Sequence, residues 1–322
     1  MSAPRCLFVM DPLDRIHVDG DSTWMLLLEA RARGWPCWFC TPDQLYAEDG
    51  IASARCQTLE VSATAPHFDP GAPQDRKLGD FDVIWMRKDP PFDMDYIFST
   101  YLLDLAPPST VVLNHPTSIR SANEKLFTLR FPQFITPTLI TRDIPRILRF
   151  AKDAPGRIVL KPWDGNGGRG VLVSQHGDPN LRSMSEILTT EGTQHIIVQH
   201  YIPEIVKGDK RVILINGEPV GQMMRVPSAD DHRGNMHVGA TVEACELTPR
   251  DQAICATLGP VLREMGLLFV GIDIIGDFLT EINVTSPTGL QEIRALTGDR
   301  LEVALTDAVA ARVAAARAQE SC

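Results

Sequence analysis

The sequence predicts an α/β unit followed by an α+β unit. The first unit is predicted from a β-α-β pattern: residues 6–10 form an apolar run, a helix capped by Ser22 is predicted to run to about Arg33, and residues 36–40 form a second apolar run. The second unit is predicted from hairpin signals, of which Asn216-Gly217 between two apolar runs is the clearest. Parallel βαβ pairing followed by antiparallel hairpins is typical of this combination.

The remaining elements are predicted from the same signals. In the first unit, a loop rich in Pro, Ala and Asp is predicted at 62–79, strands at 81–86 and 111–113, and a helix from Ser118 to about Leu129. In the second unit, strands are predicted at 157–162, 171–173 and 196–199, a hairpin at 211–215 and 218–224, a helix capped by Thr248 that runs to about Met265, and a C-terminal helix with Leu301, Leu305, Val309 and Val313 on one face.

Composition excludes several classes of protein. The 322 residues are enough for two or three units with large cores, and the net charge of −10 disfavours a nucleic-acid binder with a general basic surface. No apolar run approaches the roughly 20 residues of a membrane span. The seven cysteines are scattered, which predicts a reducing cytoplasm. Cys37 and Cys40 have C-x-x-C spacing but lie in an apolar run, so a structural role is expected rather than redox or zinc chemistry.

The most informative segment is 269–284, where two apolar runs flank Gly276-Asp277 and contain Asp273, Glu281 and Asn283. Carboxylate and amide oxygens are hard ligands that suit Mg²⁺. If the three side chains share one face of a hairpin, they form a metal site that would serve a nucleotide. The alternative is an ordinary half-buried hairpin with a polar solvent face.

The pairing register decides between these alternatives, because a shift of one residue moves a strand's side chains to the other face. A two-residue turn at Gly276-Asp277 would place Asp273 opposite Thr280. A three-residue loop at 276–278 would place Asp273 opposite Glu281 and leave a clean apolar face. The hydrophobic pattern favours the second register, although Gly-Asp by itself favours the tight turn. We therefore predict that Asp273 faces Glu281.

A glycine-rich segment, 164–170, joins two predicted strands and contains Gly165, Asn166, Gly167 and Gly168. Glycines let backbone N–H groups approach phosphate oxygens closely, so a flap over phosphates is predicted, with a plain hairpin loop as the alternative. Lys161 ends the preceding strand and could bind phosphate. Lys125 is predicted to lie on a helix. Each lysine alone would more commonly be a surface residue.

Other polar residues lie at strand ends and in loops. Residues 199–202 (Gln199, His200, Tyr201 and Ile202) end a strand, where backbone groups could contact an adenine edge. Guanidinium groups suit carboxylates and acyl phosphates, although any single arginine is more often a surface residue. Four arginines fit this description: Arg87, Arg211, Arg225 and Arg233.

Taken together, these features resemble the ATP-grasp superfamily. In chain order they are a lysine, a second lysine before a glycine flap, an adenine-contacting segment, Arg211, and Asp273 followed by Glu281-x-Asn283. Four longer segments are similar to the bacterial glutathione synthetase family: Met86-Arg87-Lys88-Asp89-Pro90-Pro91-Phe92, Asn123-Glu124-Lys125-Leu126-Phe127, Gly208-Asp209-Lys210-Arg211-Val212, and Thr280-Glu281-Ile282-Asn283-Val284-Thr285-Ser286-Pro287-Thr288. The resemblance extends from about Cys6 to the C-terminal helix.

The resemblance implies a parallel-sheet βαβ domain at 1–122 and an ATP-grasp fold at 123–318, with a central lid at about 123–200 and a catalytic part at about 201–318. It implies ATP-dependent ligation of γ-glutamylcysteine to glycine through an acyl phosphate, with Mg²⁺ or Mn²⁺ as cofactor. It also implies a cytoplasmic homo-oligomer, dimer or tetramer, with neither a nucleic-acid nor a membrane partner.

The resemblance also implies residue roles. ATP would contact Lys125, Lys161, Gly165, Asn166, Gly167, Gly168, Gln199, His200, Tyr201, Ile202 and, near the ribose, Asp209. The metal would be held by Asp273, Glu281 and Asn283. The peptide substrate would contact Arg87, Arg225, Arg233, Ser286 and Thr288. Catalysis would use Arg211, Lys161, Gly167 and Gly168.

Two readings remain open beside glutathione synthesis. One is an ATP-grasp ligase with a different acceptor, since the chain continues after Gly239 with Ala240, where many relatives have a second glycine. The other is a nucleotide-binding regulator without catalysis. The presence of both lysines and all three metal ligands favours an enzyme.

Overall fold

The computed structural model describes residues 2–165, 168–227 and 241–320, and within these ranges the chain forms seventeen strands and eight α-helices. The strands are β1 (Cys6–Val9), β2 (Cys37–Cys40), β3 (Leu45–Glu48), β4 (Ile51–Val61), β5 (Phe68–Pro70), β6 (Gln74–Lys77), β7 (Val83–Met86), β8 (Val111–Leu113), β9 (Thr138–Thr141), β10 (Ile158–Pro162), β11 (Leu172–Ser174), β12 (Ile196–His200), β13 (Asp209–Ile215), β14 (Glu218–Val226), β15 (Thr241–Glu243), β16 (Phe269–Ile275) and β17 (Phe278–Asn283). The helices are α1 (Ser22–Ala32), α2 (Met94–Leu103), α3 (Pro116–Ser121), α4 (Ile144–Asp153), α5 (Leu181–Thr189), α6 (Pro249–Glu264), α7 (Leu290–Thr297) and α8 (Leu301–Glu320).

The first sheet contains the predicted parallel βαβ arrangement. Its strand order is β3-β4-β2-β1-β7-β8, with β5 and β6 also paired to β4. β1 pairs in parallel with β2 and β7, and β7 pairs in parallel with β8. β1 and β7 are buried along their whole length, as expected for parallel strands covered on both faces. The carboxyl ends of β1, β7 and β8 therefore lie at one edge of the sheet.

The second sheet is antiparallel, with the order β11-β10-β12-β9. Its β10–β11 hairpin carries the glycine-rich segment, as predicted. α4 and α5 cover one face and form a separate small core with β10 and β12. Its buried residues include Ile147 of α4, Leu181 of α5, Leu160 of β10 and Val198 of β12.

The third sheet is antiparallel and has the order β15-β14-β13-β16-β17. One face packs on α6, which begins at a capping box formed by Thr248 and Asp251. The β13–β14 hairpin turns at Asn216 and Gly217, both with positive φ, as the sequence predicts.

The first and last parts of the chain share a core. Buried residues of α1 and β1 pack with residues of β13, α7 and α8, including the predicted stripe Leu301, Leu305, Val309 and Val313. Asn114, directly after β8, is buried and joins the first sheet to the β16–β17 hairpin. Its side chain donates to the carbonyls of Phe269 (2.7 Å) and Val284 (2.8 Å) and accepts from Phe269 N (3.0 Å). These contacts fix the carboxyl edge of the first sheet beside the third sheet.

Three details of the predicted secondary structure are wrong. Residues 62–79 are not one loop, because β5 and β6 lie within them and pair with the long strand β4. The helix predicted from Ser118 to Leu129 ends at Ser121, so Lys125 is not helical. Asn123 Oδ1 accepts the backbone N–H groups of Lys125 and Leu126, and this local turn competes with the helix. Asp21, rather than Ser22, caps α1 by accepting Trp24 N at 2.7 Å.

Candidate active site

The β16–β17 hairpin places Asp273 opposite Glu281, and Gly271 opposite Asn283, which confirms the predicted register of Asp273. The predicted three-residue loop is wrong. Ile275 pairs with Phe278 across a two-residue turn in which Gly276 has φ +57°, as the first position of a primed hairpin turn requires. The register shifts between Asp273 and Ile274, where Thr280 is the extra residue of a β-bulge. Beyond the bulge the three predicted ligands share one face.

Asp273 is the most heavily bonded of the three ligands. Arg211, directly opposite it on β13, donates from Nε at 2.5 Å and from Nη2 at 2.8 Å, a bidentate arrangement. Arg225 Nη2 lies 3.0 Å from the same carboxylate, and Asn283 Nδ2 donates to it at 3.2 Å. Burial alone would raise the pKa of Asp273, but the two guanidiniums outweigh it and hold the pKa well below its usual value. Asp273 is therefore an anion that two buried cations stabilise.

Asp209 joins this cluster from β13. It lies opposite Arg225, which donates to its Oδ2 at 2.5 Å. Burial raises the pKa of Asp209 to about 7, against the opposing charge of Arg225. Burial also opposes the charge of Arg225, yet Asp209 and Asp273 together raise its pKa. A Cβ added to Gly271 would lie 3.3 Å from Arg211 Cδ, so glycine at this position gives Arg211 room beside the strand.

A second charged group lies beside Glu281. Lys125 Nζ lies 3.6 Å from Glu281, and it donates to Glu124 and to the carbonyl of Gly165. Burial opposes the charge of Lys125, but Glu281 and Glu124 outweigh it and raise its pKa. Lys161 is buried at the end of β10, and burial lowers its pKa to about 8 even though the charge of Glu281 raises it. Lys125 thus contacts the metal-ligand face, and Lys161 lies within electrostatic reach of the same Glu281.

Glu124 was missed by sequence reasoning. Burial raises its pKa to about 7, and the nearby charge of Glu281 adds to the shift. Its backbone carbonyl accepts from Ile282 N at 2.8 Å, which ties it to β17 between two ligands. The sequence did contain a signal for Glu124: it directly precedes Lys125 in the segment 123–127, which resembles the family.

The described part of the glycine segment approaches these lysines through Gly165. A Cβ at Gly165 would lie 2.7 Å from Pro162 Cγ and 3.0 Å from the carbonyl of Arg169, so the close turn requires glycine here. Gly168 and Gly170 both have φ +73°. The predicted contacts at Asn166 and Gly167 lie outside the described residues.

The segment predicted to line the adenine pocket, 199–202, begins with the last two residues of β12 and continues beyond it. The side chains of Gln199, His200 and Tyr201 all contact the protein itself. Gln199 Nε2 donates to Thr138 at 2.8 Å, the His200 ring lies 5.1 Å from that of Phe150, and Arg157 lies 3.9 Å from the Tyr201 ring centre. The Gln199 amide nitrogen and the two rings are thus engaged within the protein.

Three of the predicted substrate residues, Arg87, Ser286 and Thr288, lie along a path that leads away from the metal ligands, whereas Arg225 contacts Asp273 itself. Arg211 Nη1 donates to the carbonyl of Thr288 at 3.3 Å, and Arg87 Nη2 donates to that of Pro287 at 3.0 Å. Ser286 Oγ lies 3.5 Å from the carbonyl of Arg87. The segment after Asn283 thus connects the third sheet to the carboxyl edge of the first. Arg233 lies outside the described residues.

The donor set fits a hard divalent cation. It has two carboxylates, Asp273 and Glu281, and the amide oxygen of Asn283, all on one face. Because the third ligand is an asparagine, this set is not a cluster of three His, Cys, Asp or Glu side chains, and the described residues contain no such cluster that could hold a metal. Two adjacent lysines supply the positive charge that a polyphosphate requires.

Comparison with known proteins identifies this arrangement. The family model described as prokaryotic glutathione synthetase, N-terminal domain, matches residues 5–120, and that described as prokaryotic glutathione synthetase, ATP-grasp domain, matches residues 124–298. The chain belongs to the prokaryotic glutathione synthetase family. It is 46% identical to the glutathione synthetase of Brucella melitensis over 94% of this chain and 97% of that one. It is 47% identical to that of Pseudomonas putida over 95% and 97%.

Solved structures show the same fold. The D-cycloserine synthetase DcsG superposes with a TM-score of 0.65 at 15% identity and covers 96% of this chain and 99% of its own. A RimK domain ATP-grasp protein from Sphaerobacter thermophilus has a TM-score of 0.60 at 18% identity, covering 94% and 98%. The predicted fold class, an N-terminal parallel-sheet unit followed by an ATP-grasp fold, is confirmed. This member of the glutathione synthetase family is an ATP-dependent ligase that uses ATP with Mg²⁺. In the described ranges, no helix is both long and apolar enough to cross a membrane.

Proposed function

We propose that this chain joins γ-glutamylcysteine to glycine, with release of ADP and phosphate, at the face shared by β13, β16 and β17. The observation that carries the proposal is that Lys125 and Lys161 both lie within electrostatic reach of the Asp273–Glu281 pair on that face. They come from separate elements: the lysines were predicted to bind the phosphates of ATP, and the carboxylates to hold the metal ion.

The chemistry needs no protein nucleophile. The cysteinyl carboxylate attacks the γ-phosphoryl group, and the amine of glycine then displaces phosphate from the acyl phosphate. Both steps accumulate anionic oxygen, so fixed cations should supply most of the rate enhancement. Bound Mg²⁺, held by Asp273, Glu281 and Asn283, would neutralise charge on the phosphoryl oxygens.

Each cation has a place in this scheme. Lys125 and Lys161 would bind the phosphates of ATP, beneath the glycine segment, which would exclude water from the acyl phosphate. Arg211 is fixed by two hydrogen bonds to Asp273, so it is pre-positioned to stabilise the reacting carboxyl group. Gln199 to Ile202 would line the adenine pocket, and Asp209 would lie near the ribose. Arg87, Arg225, Arg233, Ser286 and Thr288 would contact the peptide.

Further parts of the proposal concern the whole molecule. We place the boundary between the two domains at residues 122/123. We propose that Mn²⁺ can replace Mg²⁺, that the protein is a homo-dimer or tetramer, and that it acts in the cytoplasm on small molecules. Gly239 and Ala240 lie outside the described residues, so the preference for glycine as acceptor rests on the family resemblance.

The test is phosphate release with ATP, Mg²⁺ and γ-glutamylcysteine, with glycine added or withheld. Glycine-dependent phosphate with glutathione as product supports the proposal. Turnover with another amine and none with glycine would overturn the acceptor assignment. ATP binding without turnover with any amine would favour the regulator.

A further inference from the structure

One helix of the first unit presents large apolar side chains to solvent. α2 and the turn that continues it carry Met94, Phe98, Tyr101 and Leu105, which are 59%, 61%, 54% and 47% exposed. Four of the ten large hydrophobic residues that are exposed in the described parts of the chain are these, so such residues are concentrated in one short segment. Leu105 lies just beyond the helix, where its N–H donates to the carbonyl of Leu102 at 3.2 Å. Positions i, i+4, i+7 and i+11 share one side of a helix, so the four side chains form one stripe, called the α2 stripe below.

The residue types on the two faces of α2 are reversed from the usual arrangement. The buried face contains Tyr96, Ser99, Thr100 and Leu103, and the hydroxyls of Ser99 and Thr100 both donate to carbonyls of the same helix. The exposed residues of α4, by contrast, are charged residues and one proline. A helix that is apolar toward solvent as well as toward the core is typically covered by another element or by a partner. The α2 stripe therefore has the character of an interaction surface.

The charges beside the α2 stripe disfavour a membrane as the partner. A helix that lies on an anionic lipid surface carries lysine or arginine along its polar flank. The charged residues of α2 and of its two ends are instead Asp93, Asp95 and Asp104. Arg120 of α3, whose guanidinium lies 4.2 Å from the centre of the Tyr101 ring, forms an ion pair with Asp104. The flanks are thus acidic or neutral, which fits another protein rather than lipid.

The α2 stripe has the same pattern in both chain directions. Its residues are separated by four, three and four positions, and their types run aliphatic, aromatic, aromatic, aliphatic. A twofold axis between Phe98 and Tyr101 therefore places Phe98 against Tyr101 of a second copy, and Met94 against Leu105 of that copy. Such an isologous contact requires a surface that is complementary to itself, and the stripe meets this requirement when the two helices run antiparallel. The pattern thus favours a second copy of this chain over an unrelated protein.

The area of the α2 stripe is sufficient for the core of such an interface. A large side chain of this kind has about 150–250 Å² of surface, so four of them at about half exposure offer roughly 400 Å² per copy. A standard interface takes roughly 800 Å² from each partner, as an apolar core within a polar rim. The stripe supplies about half of that area, and the Asp104–Arg120 ion pair lies beside it as part of a rim. The rings of Phe98 and Tyr101, with centres 6.5 Å apart, lie in the middle, where binding energy is concentrated in protein interfaces.

We infer that the α2 stripe is the core of a twofold interface between two copies of this chain, with their α2 helices antiparallel. The inference rests on the homo-oligomer of the proposed function, and it does not depend on the ligation chemistry. In a dimer this contact is the whole interface. In a tetramer it is one of the interfaces, and the other contacts hold pairs of chains together without it.

Molar mass, measured by light scattering during gel filtration, tests the interface. Phe98→Lys places a charge at the centre of the apolar core, so the dissociation constant of this contact should rise at least about thirtyfold. At micromolar protein concentration a dimer should become a monomer, and a tetramer should become a dimer. Ile187→Lys makes the same kind of change at a side chain of α5 that is 73% exposed, and this matched control should keep the wild-type mass. Because Phe98 is mostly exposed within one chain, the circular dichroism spectrum should stay that of the wild-type protein.

Disulfide formation tests the antiparallel orientation and does not require Phe98→Lys to fold. Positions 94 and 105 are about 16 Å apart along one helix, too far for a disulfide within one chain. In the double variant Met94→Cys/Leu105→Cys, mild oxidation should therefore give a covalent dimer on a non-reducing gel. Each single variant and the wild-type protein, which carries its own cysteines, should run as single chains. A covalent dimer in Met94→Cys alone would indicate parallel helices and refute the inference.

The outcomes separate this inference from the proposed function. A monomeric wild-type protein refutes the proposed homo-oligomer and this inference with it. A wild-type oligomer whose mass is unchanged in Phe98→Lys refutes the inference alone, and so does a double variant that forms no covalent dimer. Phosphate release with γ-glutamylcysteine and glycine decides the proposed reaction independently of these results.

Discussion

Replacing Asp273 by asparagine should damage the fold as well as the reaction, whereas replacing Glu281 by glutamine should damage the reaction alone. The two residues face each other on one hairpin and are proposed to bind the same metal. Their surroundings differ: the side chain of Asp273 is 3% exposed and touches two buried guanidiniums, while that of Glu281 is 28% exposed and lies 3.6 Å from one lysine.

The expected magnitude follows from the charges that remain. Asp273→Asn leaves Arg211 and Arg225 in the interior with Asp209 as the nearest carboxylate. Removing one partner of a buried ion pair typically costs about 3–5 kcal/mol, because the other charge is left uncompensated. Glu281→Gln breaks a partly exposed pair, and such pairs contribute about 0–1 kcal/mol. The two substitutions should therefore differ by at least about 2 kcal/mol in the free energy of unfolding.

Urea unfolding without nucleotide or metal measures this difference, and phosphate release measures the reaction. Both variants should lose turnover sharply, and only Asp273→Asn should unfold at clearly lower urea. In Asp273→Asn with Arg211→Met, part of the lost stability should return, because one uncompensated cation is gone. Equal urea midpoints for the two single variants would refute this account. Wild-type activity in Glu281→Gln would remove that residue from the metal site.

Two predictions concern pH. Burial lowers the pKa of Lys161 to about 8, so ATP should bind more weakly as the pH rises above 8 and the ammonium loses its proton. Titration calorimetry from pH 7 to 9.5 should show this decline in affinity for the wild-type protein. Lys161→Arg should lack it, because arginine keeps its charge over this range. The pKa of Glu124 is raised from 4.5 to about 7, so its contribution to stability is complete below pH 4.5 and is lost as the pH rises to 7, by up to about 3 kcal/mol. Glu124→Gln should flatten the pH dependence of the urea midpoint over this range, and an unchanged profile would contradict the assignment.

Local patterns were sufficient for much of the fold. The β13–β14 turn follows from Asn216-Gly217, which adopts positive φ readily, and the stripe of α8 follows from helical periodicity. β4 could not be predicted in this way. Its sequence, Ile51–Val61, contains small and polar residues, and it exists because β2, β3, β5 and β6 supply its hydrogen bonds.

The ion pairs of the site also could not be predicted from local sequence patterns. Asp273 was predicted as a metal ligand without any protein partner being named, and its partner Arg211 is 62 residues away and meets it only through the pairing of β13 with β16. Lys125 was predicted to lie on a helix from Ser118 to about Leu129. The side chain of Asn123 instead captures the next two backbone N–H groups, and this capping competes with helical hydrogen bonds.

The hairpin of the metal ligands shows how two local preferences can conflict and both be satisfied. Gly276-Asp277 favours a two-residue turn, and the apolar pattern requires Asp273 to face Glu281, but a regular hairpin with that turn would place Thr280 there. The chain satisfies both by leaving Thr280 as the bulge residue, with its hydroxyl donating to the carbonyl of Asp273 at 3.0 Å. Apolar faces are the stronger constraint, because misplacing them would bury Glu281 and Asn283 among the isoleucines. The predicted pairing of Asp273 with Glu281, which was derived from the apolar face of the hairpin, is therefore correct although the predicted turn length is wrong. A one-residue bulge compensates for the difference in turn length.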